Sequence, residues 1–264
     1  MTAIALTIAG SDSGGGAGVE ADLKTFSALG VYGTTVITAL TAQNTKGVSA
    51  IHDVPADFIA AQIDALFADL EIGAVKIGML PTAAAVDVVA AALDRHRVHN
   101  VVLDPVMTAS SGERLLRADA LDRLRRLMAR VRVVTPNLPE AAALLGMPAA
   151  RDEDEMRVQA QKIMALGAGA VLIKGGHGGG ADSVDLLLDA DGWLRLAAPR
   201  IATKNAHGTG CTFSAAIAAG LAKGLSLAAA AREAKVYVSA AIAAADRLAV
   251  GSGNGPLHHF HAWW

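Results

Sequence analysis

Residues 4–29 read IALTIAGSDSGGGAGVEADLKTFSAL. Residues 4–9 are a short apolar run of strand length, residues 10–18 a glycine-rich turn, and residues 19–29 carry a helical pattern. An apolar strand without polar alternation belongs in a parallel sheet covered on both faces. The same unit recurs along the chain. Further strands are expected over residues 34–41, 75–78, 101–104, 132–135 and 170–174. Helices are expected over residues 19–29, 55–70, 82–95, 117–128, 138–145, 153–166, 212–222 and 227–248, with Pro55 suited to a first helical turn. Two more short runs, residues 184–188 and 193–197, read as an antiparallel hairpin joined around residues 189–192. This alternation predicts an α/β fold with a mostly parallel central sheet. No linker, low-complexity tract or repeat divides the chain, so residues 1–264 are expected to form one domain.

Composition narrows the function classes. Apolar residues make up 53% and charged residues 18% of the 264 residues, as in a compact globular protein. A net charge of −2 gives no electrostatic case for nucleic acid or an anionic membrane. A single cysteine excludes an intrachain disulfide and a cysteine-based zinc site. The N-terminal apolar run is short and lacks a basic flank, so it reads as a strand rather than a signal peptide. No run is long enough to span a bilayer, and a cytoplasmic protein is expected.

In open α/β sheets, ligands bind beyond the carboxyl ends of the strands. Polar residues and glycines gather there: Gly10 and Asp12 after the first strand, Gln43 after the second, and Met79 after the third. Asp104 ends the fourth, Asn137 and Glu140 follow the fifth, and Lys174 ends the sixth. Residues 205–211 read NAHGTGC and lead into a helix. Gly208 and Gly210 free the backbone to turn its N–H groups to one point, and the helix adds its positive end. This makes residues 208–211, Thr209 included, a candidate anion hole. Cys211 sits at its lip, where a helix N-terminus lowers a thiol pKa.

Several of these residues admit two readings. Residues 10–18 suit a phosphate or substrate loop, or a plain strand-to-helix turn with Asp12 as cap. Asp22 either faces the pocket or is a solvated helix carboxylate. Gln43 offers a donor and an acceptor to an aminopyrimidine edge, or is a loop amide. Lys76, within an apolar strand, is paired if buried or else points out at the sheet's end. Asn137 and Glu140 suit Mg²⁺ beside a phosphate site, or form a helix cap. Lys174 offers a cation to a nucleotide phosphate, or belongs to a glycine-rich turn. His258, His259 and His261 form a possible metal cluster, but packing of Phe260, Trp263 and Trp264 against the body is the better expectation.

The chain resembles the bacterial hydroxymethylpyrimidine/phosphomethylpyrimidine kinases of thiamine biosynthesis. The resemblance runs from Ile4 to Trp264, on LTIAGSDSGGGAGVEADLKTFSALG, VITALTAQNT, KIGML, VVLDPVM, TPNLPEAAALLG, LIKGGH, HGTGCTFSAAIAAGLAKG and HHFHAWW. It implies a ribokinase-like three-layer α/β/α sandwich without a large β lid, in a homodimer. It implies ATP-dependent phosphorylation of 4-amino-5-hydroxymethyl-2-methylpyrimidine to its monophosphate and then its diphosphate. By resemblance, Gln43, Asp22, Met79 and Gly10 belong to the pyrimidine pocket. Gly208, Gly210 and Cys211 belong to the anion hole, and Lys174, Thr209 and Asn137 to the nucleotide side. Glu140, Asn137 and Asp104 belong with Mg²⁺. Sugar kinases of this fold carry an aspartate base where Cys211 stands. Glu20 replaces a common glutamine. A pyridoxal-type vitamin kinase is the second reading and a non-catalytic sensor the third. A nicotinamide dehydrogenase lacks its glycine fingerprint here.

Overall fold

The computed structural model describes residues 2–109 and 112–264. Eight strands form one sheet and two more form a separate hairpin. In chain order the first elements are β1 (Ile4–Ala9), α1 (Gly18–Ala28), β2 (Tyr32–Ile37), β3 (Ala39–Asn44), β4 (Gly47–Asp53) and α2 (Ala56–Phe67). They are followed by β5 (Ala74–Ile77), α3 (Ala83–Arg95), β6 (Val101–Leu103), α4 (Leu121–Leu127), β7 (Val133–Val134) and α5 (Leu138–Leu145). The chain closes with α6 (Glu153–Met164), β8 (Val171–Lys174), β9 (Asp182–Asp189), β10 (Gly192–Pro199), α7 (Thr209–Ala222) and α8 (Leu227–Ala243). The sheet order is β10-β9-β8-β7-β6-β5-β1-β2. Six strands, β1, β2 and β5 to β8, run parallel, and the β9–β10 hairpin closes one edge antiparallel.

Side-chain alternation along the strands builds two cores. Leu6 and Ile8, Val75 and Ile77, and Val101 and Leu103 face the layer of α2 to α6. Their neighbours Ala5, Ala74 and Val102 face α1, α7 and α8. Both faces are covered, which is why the strands read as apolar runs. α7 crosses the middle of its layer, and every residue from Thr212 to Leu221 is buried. Small alanines let it approach the sheet and α8 closely.

The elements fall close to where expected, with five departures, one being that the helix expected over 227–248 ends at Ala243 with a 3₁₀ turn, Ala245–Arg247, after it. The run expected as one strand over 34–41 is two, broken at Thr38. There the chain leaves the sheet: Thr38 N–H donates to the Ala9 carbonyl at 2.9 Å and its hydroxyl to the Met79 carbonyl at 2.7 Å. The following segment, β3, pairs with β4, a strand the sequence reading did not contain. The helix expected from 212 begins at Thr209. The one expected over 117–128 is a short α-helix between two 3₁₀ turns, Ala118–Ala120 and Met128–Arg130. In the C-terminal tail, His258 and His259 are buried, while Trp263 and Trp264 are 69% and 66% exposed. Trp264 lies against His258 and Phe260, with ring centroids 4.8 and 6.3 Å apart, but neither tryptophan is buried by the packing that was expected. His259 Nε2 meets the Thr212 hydroxyl at 3.0 Å, and burial lowers its pKa to about 4. No metal-binding cluster forms among the described residues.

Candidate active site

A cavity of about 1060 Å³ opens along the carboxyl ends of the parallel strands. Following the sheet order from β1 towards β10, it is lined at one end by Gly10, Gln43 and Met79, then by residues 208–211 and Lys174, and at the other end by Arg200, Thr203, Val238 and Ile242. The sequence-predicted residues therefore share one space, Asp22 excepted.

The turn is built by contact between two glycine-rich segments. Gly208 adopts φ 83°, a left-handed conformation that suits glycine. A Cβ there would stand 1.9 Å from the Gly16 carbonyl oxygen. Residues 10–18 thus lie against the start of α7. The ladder of that helix begins with Thr212 N–H donating to the Gly208 carbonyl at 2.9 Å. The N–H groups of Gly210 and Cys211 precede it and lack intrahelical acceptors. A Cβ on Gly210 would come within 3.0 Å of Lys174 Nζ, so glycine lets the ammonium reach the turn. An anion placed here meets backbone N–H groups, the helix's positive end and a cation together.

Cys211 departs from expectation. Because α7 starts three residues early, the cysteine sits within its first turn. It is half-buried. Burial pushes the thiol up to about 11, with Lys76 and the Gly18 backbone opposing. The expected lowering by the helix end is outweighed by desolvation. At neutral pH this residue is a neutral thiol.

Two buried lysine–aspartate pairs underlie the turn. Lys174 Nζ lies 2.6 Å from Asp104 Oδ1. Burial lowers the Lys174 pKa, but the Asp104 and Glu140 charges raise it further, so the ammonium is held. Lys76 Nζ lies 2.7 Å from Asp22 Oδ2, with both side chains fully enclosed. Burial works against both charges, and Asp22 keeps Lys76 above the ordinary lysine range. Thr7 also donates to Asp22, at 2.6 Å. Asp22 does not line the cavity, contrary to expectation; Lys76, which it holds, does. Absence of a side chain at Gly78 makes room for that ammonium.

Asn137 and Glu140 form a capping box at α5. Glu140 N–H donates to Asn137 Oδ1 and Asn137 N–H to Glu140 Oε2, each at 2.8 Å. The cap reading holds, and Glu140 also lines the cavity. Burial raises its pKa to about 7, opposed by Lys174 and reinforced by Asp104. As no three acidic, histidine or cysteine groups cluster among the described residues, a cation would not be enclosed by protein alone. Two carboxylates, Asp104 and Glu140, on the wall beside the anion turn do fit an ion such as Mg²⁺ that keeps several waters. Asn137 has its side-chain oxygen engaged in the cap.

At the end that Gly10 and Met79 line, Gln43 sits on β3, beside a register shift between Ala42 and Gln43. A Cβ on Gly10 would press on Met79 Sδ at 3.0 Å, so glycine lets the methionine lie over the strand end. Sequence reasoning missed the pair of Asp12 Oδ2 with His207 Nε2, 2.8 Å apart. It also missed Lys235 on α8, 2.7 Å from Asp185 on β9. An aspartate inside the apolar run of β9 was the available signal for the second.

Comparison with known proteins gives this cavity a context. Residues 12–258 match the family described as phosphomethylpyrimidine kinase. The hydroxymethylpyrimidine/phosphomethylpyrimidine kinase of Rhizobium meliloti is 59% identical over 265 residues, covering 100% of this chain and 99% of the relative. The phosphomethylpyrimidine kinase of Clostridium difficile superimposes with a TM-score of 0.80 at 41% identity, over 90% of this chain and 99% of the other. An ADP complex of Bacillus subtilis pyridoxal kinase superimposes with a TM-score of 0.90 at 38% identity, over 99% of both chains. This chain belongs to the phosphomethylpyrimidine kinase family, with the ribokinase-like fold of these neighbours.

Proposed function

We propose that the protein transfers the γ-phosphoryl group of ATP to the hydroxymethyl oxygen of 4-amino-5-hydroxymethyl-2-methylpyrimidine, then to the resulting monophosphate, giving the diphosphate used in thiamine biosynthesis. The observation that carries this reading is the single cavity in which the amide of Gln43, the 208–211 turn and Lys174 stand in sequence. Gln43 recognises the ring, with Met79 and Gly10 shaping its bed. ATP lies between Lys174 and the slot of Arg200, Thr203, Val238 and Ile242. Thr209 and Asn137 stand where its phosphates enter. Phosphoryl transfer requires mainly positioning and charge compensation. The N–H groups of Gly210 and Cys211 and the Lys174 ammonium hold the transferring group. Mg²⁺ held through water by Asp104 and Glu140 would neutralise the nucleotide phosphates. Asp22 acts through Lys76.

Substrate-dependent ADP release tests this. The pyrimidine alcohol and its monophosphate should each release ADP, in a Mg²⁺-dependent manner. ADP release with neither compound would refute it. Pyridoxine assayed alongside measures the second reading, which the Bacillus subtilis neighbour supports.

We further place the enzyme in the cytoplasm, where ATP is available, as a homodimer. No helix among the described residues is long and apolar enough to cross a membrane. The β3–β4 hairpin exposes Leu40 and Ile51, and α2 exposes Phe58, at 47%, 40% and 61%. Large exposed apolar side chains are what an association surface supplies. Light scattering should give twice the protomer mass, and Leu40→Asp with Phe58→Asp should give the protomer. A monomeric parent would exclude the dimer.

A further inference from the structure

Asp12, His207 and Gln43 come from separate stretches of chain and meet at the acceptor end of the cavity. His207 Nε2 lies 2.8 Å from Asp12 Oδ2 and 3.3 Å from Gln43 Nε2. Gln43 Oε1 lies 3.2 Å from the Thr41 hydroxyl, which is 2.8 Å from the Ser11 carbonyl. Donors and acceptors must balance across these groups. Burial alone would raise the Asp12 carboxyl, but His207 and the Gly14 and Ala17 amides hold it below the ordinary aspartate range. Asp12 is therefore a carboxylate and only accepts. His207 Nε2 then carries the proton between them, whether the ring is neutral or charged. A protonated Nε2 cannot accept from an amide NH₂, so the end of Gln43 that faces it must be the oxygen, which shares the one Nε2 proton with Asp12 in a three-centre bond whose longer arm is the 3.3 Å contact. Thr41 has one hydroxyl proton, which goes to the shorter contact at Ser11, so its oxygen is left to accept. The nitrogen and oxygen of a carboxamide are told apart by their partners. Both partners here ask for one orientation, with the amide oxygen toward His207 and the amide nitrogen toward Thr41.

We infer that Asp12 and His207 form a positioning dyad, which locks the Gln43 amide with its oxygen on the side of the anion turn and its remaining N–H on the side of the hairpin. This rests on the reading of Gln43 as the residue that recognises the ring. An aminopyrimidine edge pairs an exocyclic N–H donor with a neighbouring ring-nitrogen acceptor. The locked amide accepts from the amine beside His207 and donates to the ring nitrogen beside Thr41. In this substrate the amino group and the hydroxymethyl group are on adjacent ring carbons. His207 directly precedes Gly208, so this polarity turns the hydroxymethyl oxygen toward residues 208–211. A reversed amide would favour a flipped ring, with that oxygen turned away from the transferring phosphate. The dyad thus selects the productive ring orientation without touching the reacting atoms.

Long-range ¹H–¹⁵N spectra of the full-length protein labelled at histidine should show His207 protonated at Nε2. His207→Leu should raise the KM for the pyrimidine alcohol about tenfold or more, the loss of one buried hydrogen bond, with the KM for ATP unchanged. His207→Gln, which restores a donor to the same place, should return KM close to that of the parent. Adding Gln43→Leu to His207→Leu should cost little more, because both act through one amide. An Nε2 without a proton, equal losses from the Leu and Gln variants, or full additivity would overturn the dyad. The recognition reading fails separately. If Gln43→Leu alone leaves KM unchanged while the spectrum shows the Nε2 proton, the inferred ring orientation is overturned although the ion pair stands.

Discussion

Cys211 shows how a single position sets the chemistry this cavity tolerates. Its thiol stays protonated at neutral pH because burial outweighs the helix end and Lys76. It is therefore not a ready base for the substrate alcohol, and the catalytic load falls on the amides of the turn and on Lys174. Its neutrality suits the second acceptor, a phosphate that is largely dianionic at pH 7. A carboxylate here would stand near that phosphate, and at roughly 4 Å and an effective dielectric near 20 the repulsion is about 4 kcal/mol per charge pair. Cys211→Ala is expected to slow both phosphorylations by similar, modest factors. Cys211→Asp is expected to depress the monophosphate step far more than the alcohol step, measured as kcat/KM on each acceptor. Asp affecting both acceptors equally would show that charge at this position is not what matters.

Among the elements, α5 joins stability to the site. Its capping box places Glu140 between the helix start and the cavity, with a pKa raised from 4.5 to about 7 by burial. The folded state then holds a proton that the unfolded chain releases near pH 4.5. Glu140 thus contributes stability fully present below pH 4.5, which is lost as pH rises to about 7, by at most about 3 kcal/mol. Glutamine keeps a capping partner but cannot ionise. Glu140→Gln should lose less Tm than the parent between pH 5 and pH 7.5; identical slopes would place the titration elsewhere. The same element shows what was legible in sequence. Asn137, Pro139 and Glu140 announce a helix start by local chemistry alone. The apolar strands β1, β5, β6 and β8 were equally plain, since burial on both faces leaves only Thr7, Lys76 and Lys174 as polar residues among them, too few to impose an alternating period. β4 was not, because most of its residues are exposed and Gly47-Val-Ser-Ala-Ile-His-Asp53 alternates with no core. The break at Thr38 was hidden because it depends on hydrogen bonds to Ala9 and Met79, both distant in sequence. His207 likewise gave no sign of Asp12, since only the packing of residue 16 against residue 208 brings them together.

Three buried lysine–aspartate pairs tie the layers together along the cavity floor. Lys76 on β5 meets Asp22 on α1, Lys174 on β8 meets Asp104 after β6, and Lys235 on α8 meets Asp185 on β9. Asp185 also accepts from the Gly175 N–H at 2.9 Å, which holds the chain just after Lys174. Each pair crosses between elements that a purely apolar core would let slide, and each supplies the cavity with a lysine at a set position. Ion pairs so deep gain little net stability over apolar groups, yet leaving one partner alone is severe. This asymmetry separates a structural brace from a mere contributor of stability. Lys76→Met leaves the Asp22 carboxylate buried beside Thr7 and should cost about 3–5 kcal/mol. Adding Asp22→Asn removes the stranded charge while keeping an acceptor for the Thr7 hydroxyl, so the double variant should be more stable than Lys76→Met alone. Urea unfolding of the parent, both single variants and the double variant measures this. Additive losses would mean that Lys76 and Asp22 do not share one charge balance. Recovery of stability without recovery of turnover would show that the pair is kept for the ammonium it presents to the cavity.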